Sequence, residues 1–181
     1  MIRRLVFALV VFLTPNLVNA GSLAIDWAAL KSGQYQSFRT NEGARLISRY
    51  SGQQDGLYLF EVYYGLSPIG QPMEKLFLDP DGQFVKSVFE NGETKQFIPH
   101  DCSRTEGACT FALKLENGDI HNFSQFTKVT KDGFSFVRRS ETGKVVMRGR
   151  AELNAAGLIR NMATRTPYAR RGIIREIKFV P

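Results

Sequence analysis

Cysteine is scarce in this 181-residue chain, with only Cys102 and Cys109, and histidine is equally scarce, with only His100 and His121. These shortages exclude much chemistry. Two thiols separated by six residues, without paired histidines nearby, make a poor zinc site, and the spacing is not the C-x-x-C of a redox enzyme. There is no G-x-S-x-G nucleophile elbow, no H-E-x-x-H and no glycine-rich phosphate loop before a helix. Asp79 and Asp81 open a calcium-like stretch with Glu90 at its twelfth position, but Phe84 stands where that loop requires glycine. "DPDG" is therefore read as a turn. His100 and His121 are single strand-flanking histidines, a pattern typical of structural or surface residues. No catalytic residue, metal or cofactor is expected. An enzyme with a dispersed site is the weakest of three readings.

Long apolar runs are also missing. The longest spans residues 5–13, nine residues, where a bilayer-spanning helix needs about 20. It follows the basic pair Arg3 and Arg4, is broken by Pro15 and Asn16, and ends in Val18-Asn19-Ala20. That is the pattern of a secretory signal peptide cut near Ala20. The expected product is one domain, residues 21–181, with no transmembrane segment, in the periplasm or secreted from a bacterial cell. In such a compartment Cys102 and Cys109 are expected to form a disulfide, closing a short loop.

Aromatic residues, by contrast, are plentiful: 14 Phe, 6 Tyr and 1 Trp. Such a composition suits a β-rich core or an aromatic-lined cavity. Turn signals recur along the chain at "SGQQDG" (51–56), "DPDG" (79–82), "ENGE" (90–93), "ENGD" (116–119), "KDG" (131–133), "ETGK" (141–144) and "NAAG" (154–157). Asn-Gly at 91–92 and 117–118 predicts type I′ hairpins, whose two central residues both need positive φ. Between turns the residues alternate with period two. Tyr58, Phe60, Val62 and Tyr64 share one face. Met147, Gly149, Ala151 and Leu153 share another, opposite Arg148, Arg150 and Glu152. In the last strand Ile173, Arg175, Ile177 and Phe179 oppose Ile174, Glu176, Lys178 and Val180. "GLSPIGQP" marks a longer connection. "DWAALKSG" reads as one or two helical turns capped by Asp26 and ended by Gly33.

The expected fold is all-β: an antiparallel meander of about nine or ten strands with a short N-terminal helix. Its edges are resolved by closure into an up-and-down barrel or a curved half-barrel, with a two-sheet sandwich as the alternative. Small residues at Gly149 and Ala151 on the inward face suit a bend or a ligand's close approach. The outline resembles lipocalin-like carriers, with an exported domain, a short helix, a meander and a disulfide. The G-x-W signature of that family is absent, because Trp27 follows Asp26 in a helix-like segment.

Charge is uneven. Residues 21–137 carry 11 basic and 14 acidic side chains, and residues 138–181 carry 11 basic and 3 acidic, a net of +8 in the last quarter. An anionic envelope surface or a protein partner suits this quarter better than nucleic acid does, given the expected compartment. Arg138, Arg139, Arg148, Arg150, Arg170 and Arg171 are the candidate anion-binding residues, with "RTPYARRG" around Tyr168 as the first place to look. Tyr58, Phe60, Val62, Tyr64, Phe123, Phe134, Phe136 and Met147 are the candidate lining of a cavity for a small apolar or amphiphilic ligand. The leading functional expectation is a non-enzymatic barrel binding a lipid-like, anionic-headed molecule. The alternative is a protein-binding envelope module or an inhibitor of a secreted enzyme that uses its basic surface.

Overall fold

The structure is a computed structural model describing residues 23–167 and 172–180. The predicted export segment, Tyr168, Arg170 and Arg171 lie outside the described residues. Twelve strands follow one another: β1 (Tyr35–Thr40), β2 (Arg45–Gln54), β3 (Leu57–Tyr64), β4 (Glu74–Leu78), β5 (Phe84–Phe89), β6 (Thr94–Ile98), β7 (Gly107–Leu115), β8 (Ile120–Thr130), β9 (Gly133–Ser140), β10 (Val145–Leu153), β11 (Ile159–Arg165) and β12 (Gly172–Val180). Each is hydrogen-bonded to the next, and β12 returns to β1, so the sheet is a closed up-and-down barrel. The count exceeds the expected nine or ten. β4 and β6 have only five residues each, too few alternations to stand out from their turns.

Turn chemistry explains the hairpins, with one correction. At Asp55-Gly56 both residues have positive φ, 52° and 79°, as a type I′ turn requires. At the two Asn-Gly sites only Gly92 and Gly118 have positive φ. The Gly92 N–H donates to the Phe89 carbonyl, and the Asn91 side chain accepts from Glu93 N–H. These are type I turns followed by a left-handed glycine, because the Asn side chain caps the turn locally instead of turning its own backbone left-handed.

The N-terminal helix is a single 3₁₀ turn, Trp27–Ala29, with Asp26 accepting from Ala29 N–H as predicted. Leu30, already extended, ends it rather than Gly33. The segment around it closes one end of the barrel. Trp27 stacks on Tyr58 at 3.6 Å between ring centroids, and its indole N–H donates to the Pro80 carbonyl at 2.6 Å. Asp26 N–H donates to the Ala156 carbonyl. The chain lies so close over the β10–β11 turn that a Cβ at Gly157 would stand 2.3 Å from the Ala24 carbonyl oxygen.

In a meander the connections alternate between ends. The links β2–β3, β4–β5, β6–β7, β8–β9 and β10–β11 lie at this plugged end, and the others lie at the opposite, open end. The plug has a physical reason. About eight strands enclose an interior that wall side chains can fill, whereas twelve enclose a wider one that needs extra material.

Cross-strand register identifies the inward face. Tyr50 pairs with Phe60 and Phe60 with Leu76. Phe111 pairs with Phe123, Gln125 with Arg138, and Thr127 with Phe136. One buried cluster joins Ile25, Leu30, Tyr50, Phe60, Leu78 and Leu158, and another joins Leu23, Phe134, Phe136 and Ala151. Both contain residues of the plug segment. Gly149 is not a place for a ligand: a Cβ there would fall 2.3 Å from the Phe136 ring, so that ring occupies the space. In β12 an irregularity in the pairing with β1 changes the face partway along. Ile174 and Glu176 point inward with Thr40 and Phe38, and Phe179 then also points inward, opposite Gln36. The expected grouping of Phe179 with Ile173 and Arg175 therefore fails, because strict alternation does not survive the bulge.

Candidate functional site

The lumen changes character from one end to the other. Near the plug it is filled and its polar groups are satisfied. The Cys102–Cys109 disulfide is present, tying the β6–β7 loop to β7. In that loop the buried Asp101 carboxylate accepts from Phe84 N–H and from the Ser103 hydroxyl, and lies 3.8 Å from the Arg138 guanidinium. Gln125 accepts from Arg138 Nε and donates to Thr127, whose hydroxyl donates to the Cys102 carbonyl. Arg138 also sits 4.7 Å from the Phe111 ring centroid. Burial pushes its pKa down, and Asp101 partly restores it. Arg104, which donates to the Leu23 carbonyl of the plug, is likewise lowered by burial, to about 10, against the opposing pull of Asp101 and Asp79.

Toward the open end the same inward face becomes accessible. Along β3, Phe60 is buried, Val62 is half-buried and Tyr64 is 66% exposed. Along β8, Thr127 and Gln125 are buried, Phe123 is half-buried and His121 is exposed. The mouth contains a pocket of about 330 Å³ bordered by Leu46, Tyr64, Met162, Thr164, Ile174 and the rim residues Thr40 to Glu42. Such a volume lies at the small end of ligand sites. One carboxyl faces the upper lumen on β4: Glu74, raised by burial and only partly offset by Ser87 and Lys95. Lys95 itself lies 4.4 Å from the Phe89 ring centroid.

This gradient divides the predicted lining. Tyr58, Phe60, Phe134 and Phe136 belong to the packed clusters beside the plug. Val62, Tyr64 and Phe123 face the open half, while Met147 packs against the cluster of Phe134 and Phe136. Leu46, Met162, Thr164 and Ile174 border the mouth pocket and were not selected from the sequence. Their segments carry only a weak alternation, and which end of each strand is uncovered depends on where the plug sits.

The predicted arginine set is divided too. Arg138 points inward and is paired with Asp101, so it does not belong to a solvent-facing rim. Arg139, Arg148 and Arg150 point outward on β9 and β10, as pairing partners of Ser124, Val137 and Ser135. Arg170 and Arg171 lie outside the described residues. The outer wall shows a further arrangement. Arg39, Arg45, Arg49, Arg165 and Arg175 also point outward, so the sector from β9 through β12 to β2 is arginine-rich. Glu152 is the carboxylate among its described outward strand positions. The sector from β4 to β8 carries lysines instead: Lys75, Lys86, Lys114 and Lys128. A wall so charged is unlike the apolar band of a membrane-spanning barrel. Among the described residues no helix is long and apolar enough to cross a membrane.

Arg49 is held by several partners. It bonds Glu61, Tyr63 and the Pro68 carbonyl, holding the β3–β4 connection against the wall. Burial pushes the Glu61 carboxyl up, but hydrogen bonds from Arg49, Ser51 and Tyr63 outweigh it and hold the group below its ordinary value.

No protein-family model matches the chain, and no curated protein matches it. Among solved structures it is similar to the hypothetical lipoprotein YmcC from Escherichia coli K12, at 14% identity and a TM-score of 0.49, over 92% of this chain and 91% of that one.

Proposed function

We propose that this chain is an exported, non-enzymatic β-barrel that holds an apolar or amphiphilic, anionic-headed ligand in the open half of its lumen. One observation carries the reading: inward-facing side chains pass from buried to accessible along the strands, and the accessible end is lined by Leu46, Tyr64, Met162 and Ile174. A filled barrel needs no such mouth. A phosphate or carboxylate head emerging from the mouth would meet the rim, where Arg39 and Arg45 border a groove that shares Thr40, Asn41 and Ile173 with the mouth pocket. The test is native mass spectrometry, with lipid extraction, of the protein purified from its own periplasm. A reproducible co-purifying amphiphile is expected, and it should disappear in Thr164→Phe, which places a ring in the mouth. Empty protein, together with no thermal shift across a panel of amphiphiles, refutes the reading.

A second reading, a protein-binding envelope module or an inhibitor of a secreted enzyme, has its own observation. Phe126 is 58% exposed on the outer wall, in a groove shared with Arg139 and Arg148. Capture of a defined envelope protein that is lost on Phe126→Ala, with no co-purifying lipid, would favour it.

A further inference from the structure

Arg39, Arg45 and Arg175 are remote in the sequence but form one row on the outer wall. Arg39 on β1 pairs directly with Arg45 on β2 and with Arg175 on β12. Directly opposed residues on one sheet face have their Cβ atoms about 5 Å apart, and like charges at that spacing destabilise a sheet. Among the described residues, none of the three has a side-chain hydrogen bond or an ion pair. Glu42, in the turn between Arg39 and Arg45, forms no ion pair with either. The three border a groove of about 490 Å³ with Thr40, Asn41, Ile173 and Ile177. Apolar groups lie beside it. Ile177 is exposed, and the β3–β4 connection, whose Gly65 N–H donates to the Arg45 carbonyl, carries Leu66 at 73% and Ile69 at 82% exposure.

We propose that this sector, β12–β1–β2 with the β3–β4 connection, docks on an anionic phospholipid bilayer, the three guanidinium groups binding headgroup phosphates. Charge complementarity selects the occupant. Three unpaired forks in a row match phosphate oxygens bidentately, which lysine cannot do. Leu66 and Ile69 sit where an apolar side chain would enter the interface beside such contacts, the combination of apolar and basic groups found on surface-bound proteins. The exposed Glu90, Glu116, Asp119 and Glu141 on the open-end turns of β5–β10 would be repelled by the same bilayer. Contact is therefore confined to this side of the barrel. The site does not depend on whether the lumen holds a ligand.

The test is co-sedimentation of the exported protein with vesicles of equal parts phosphatidylglycerol and phosphatidylcholine, against vesicles of phosphatidylcholine alone. At about fivefold per basic residue, Arg39→Gln/Arg45→Gln/Arg175→Gln should weaken binding to the anionic vesicles about 100-fold. The matched variant Lys75→Gln/Lys86→Gln/Lys114→Gln, with the same loss of charge, should change it much less. Leu66→Ser/Ile69→Ser should weaken it at unchanged charge. Thermal melting guards against misfolding: the arginine variant should melt at the same or a higher temperature, since like-charge repulsion is relieved. Equal loss in the arginine and lysine variants, no loss in either, or abolition by millimolar inorganic phosphate with no effect of the apolar variant would overturn the proposal.

Discussion

The two ends of this barrel face the same problem, a lumen wider than wall side chains can fill, and resolve it differently. At the plugged end the chain supplies its own filling, and its buried charges are paired: Asp101 holds Phe84 N–H, Ser103 and Arg138. At the open end nothing is inserted among the described residues, and Glu74 faces the lumen at a cost that its partners do not remove. The contrast separates what stabilises the fold from what is left for function.

Substitutions at the plugged end should therefore have the larger effects. Asp101→Ala leaves Arg138 buried without its carboxylate and should cost about 3–5 kcal/mol in urea unfolding. An effect under about 1 kcal/mol would mean that water already reaches that charge. Trp27→Ala empties the stack over Tyr58 and should cost about 3 kcal/mol, the low end for a large aromatic because Trp27 is only half-buried. It should also increase dye binding at the plugged end. Replacing Cys102 and Cys109 with serine should cost about 2–3 kcal/mol on the chain-entropy account of so short a loop.

The open-end effect is the smallest and has the opposite sign. Glu74 is raised in the folded state, so its penalty is present above that raised value and disappears below the unfolded carboxylate pKa. Glu74→Gln should therefore stabilise at neutral pH by up to about 1 kcal/mol and make no difference in mild acid. Glu61, held low, behaves conversely. Its contribution is present above the unfolded pKa and is lost as pH falls through the folded value, so Glu61→Gln should destabilise at neutral pH by about 1 kcal/mol and lose its effect in acid. Urea titrations of the two variants across the acid range check both signs.

Legibility in the sequence followed the range of the interactions. The common face of Tyr58, Phe60, Val62 and Tyr64 was readable because alternation is a property of neighbouring residues. The fate of that face was not. Tyr58 is filled by Trp27, while Tyr64, six residues on, is bare, and that difference depends on which end the N-terminal segment enters. Arg138 and Arg139 look alike in the sequence. One turns inward to Asp101 and the other outward, and only the register with β8 separates them.

The sequence by itself determined the all-β class, the hairpin order, the one available cysteine pair and the position of Asp26 as a cap. All of these rest on residue preferences acting over a few positions. Tertiary structure decided the closure of twelve strands, the filled and open halves of the lumen, the change of face in β12 and the arginine row across β2, β1 and β12. Each of these depends on pairing between segments far apart in the chain, above all β1 with β12, where composition and period carry no information about partner or register.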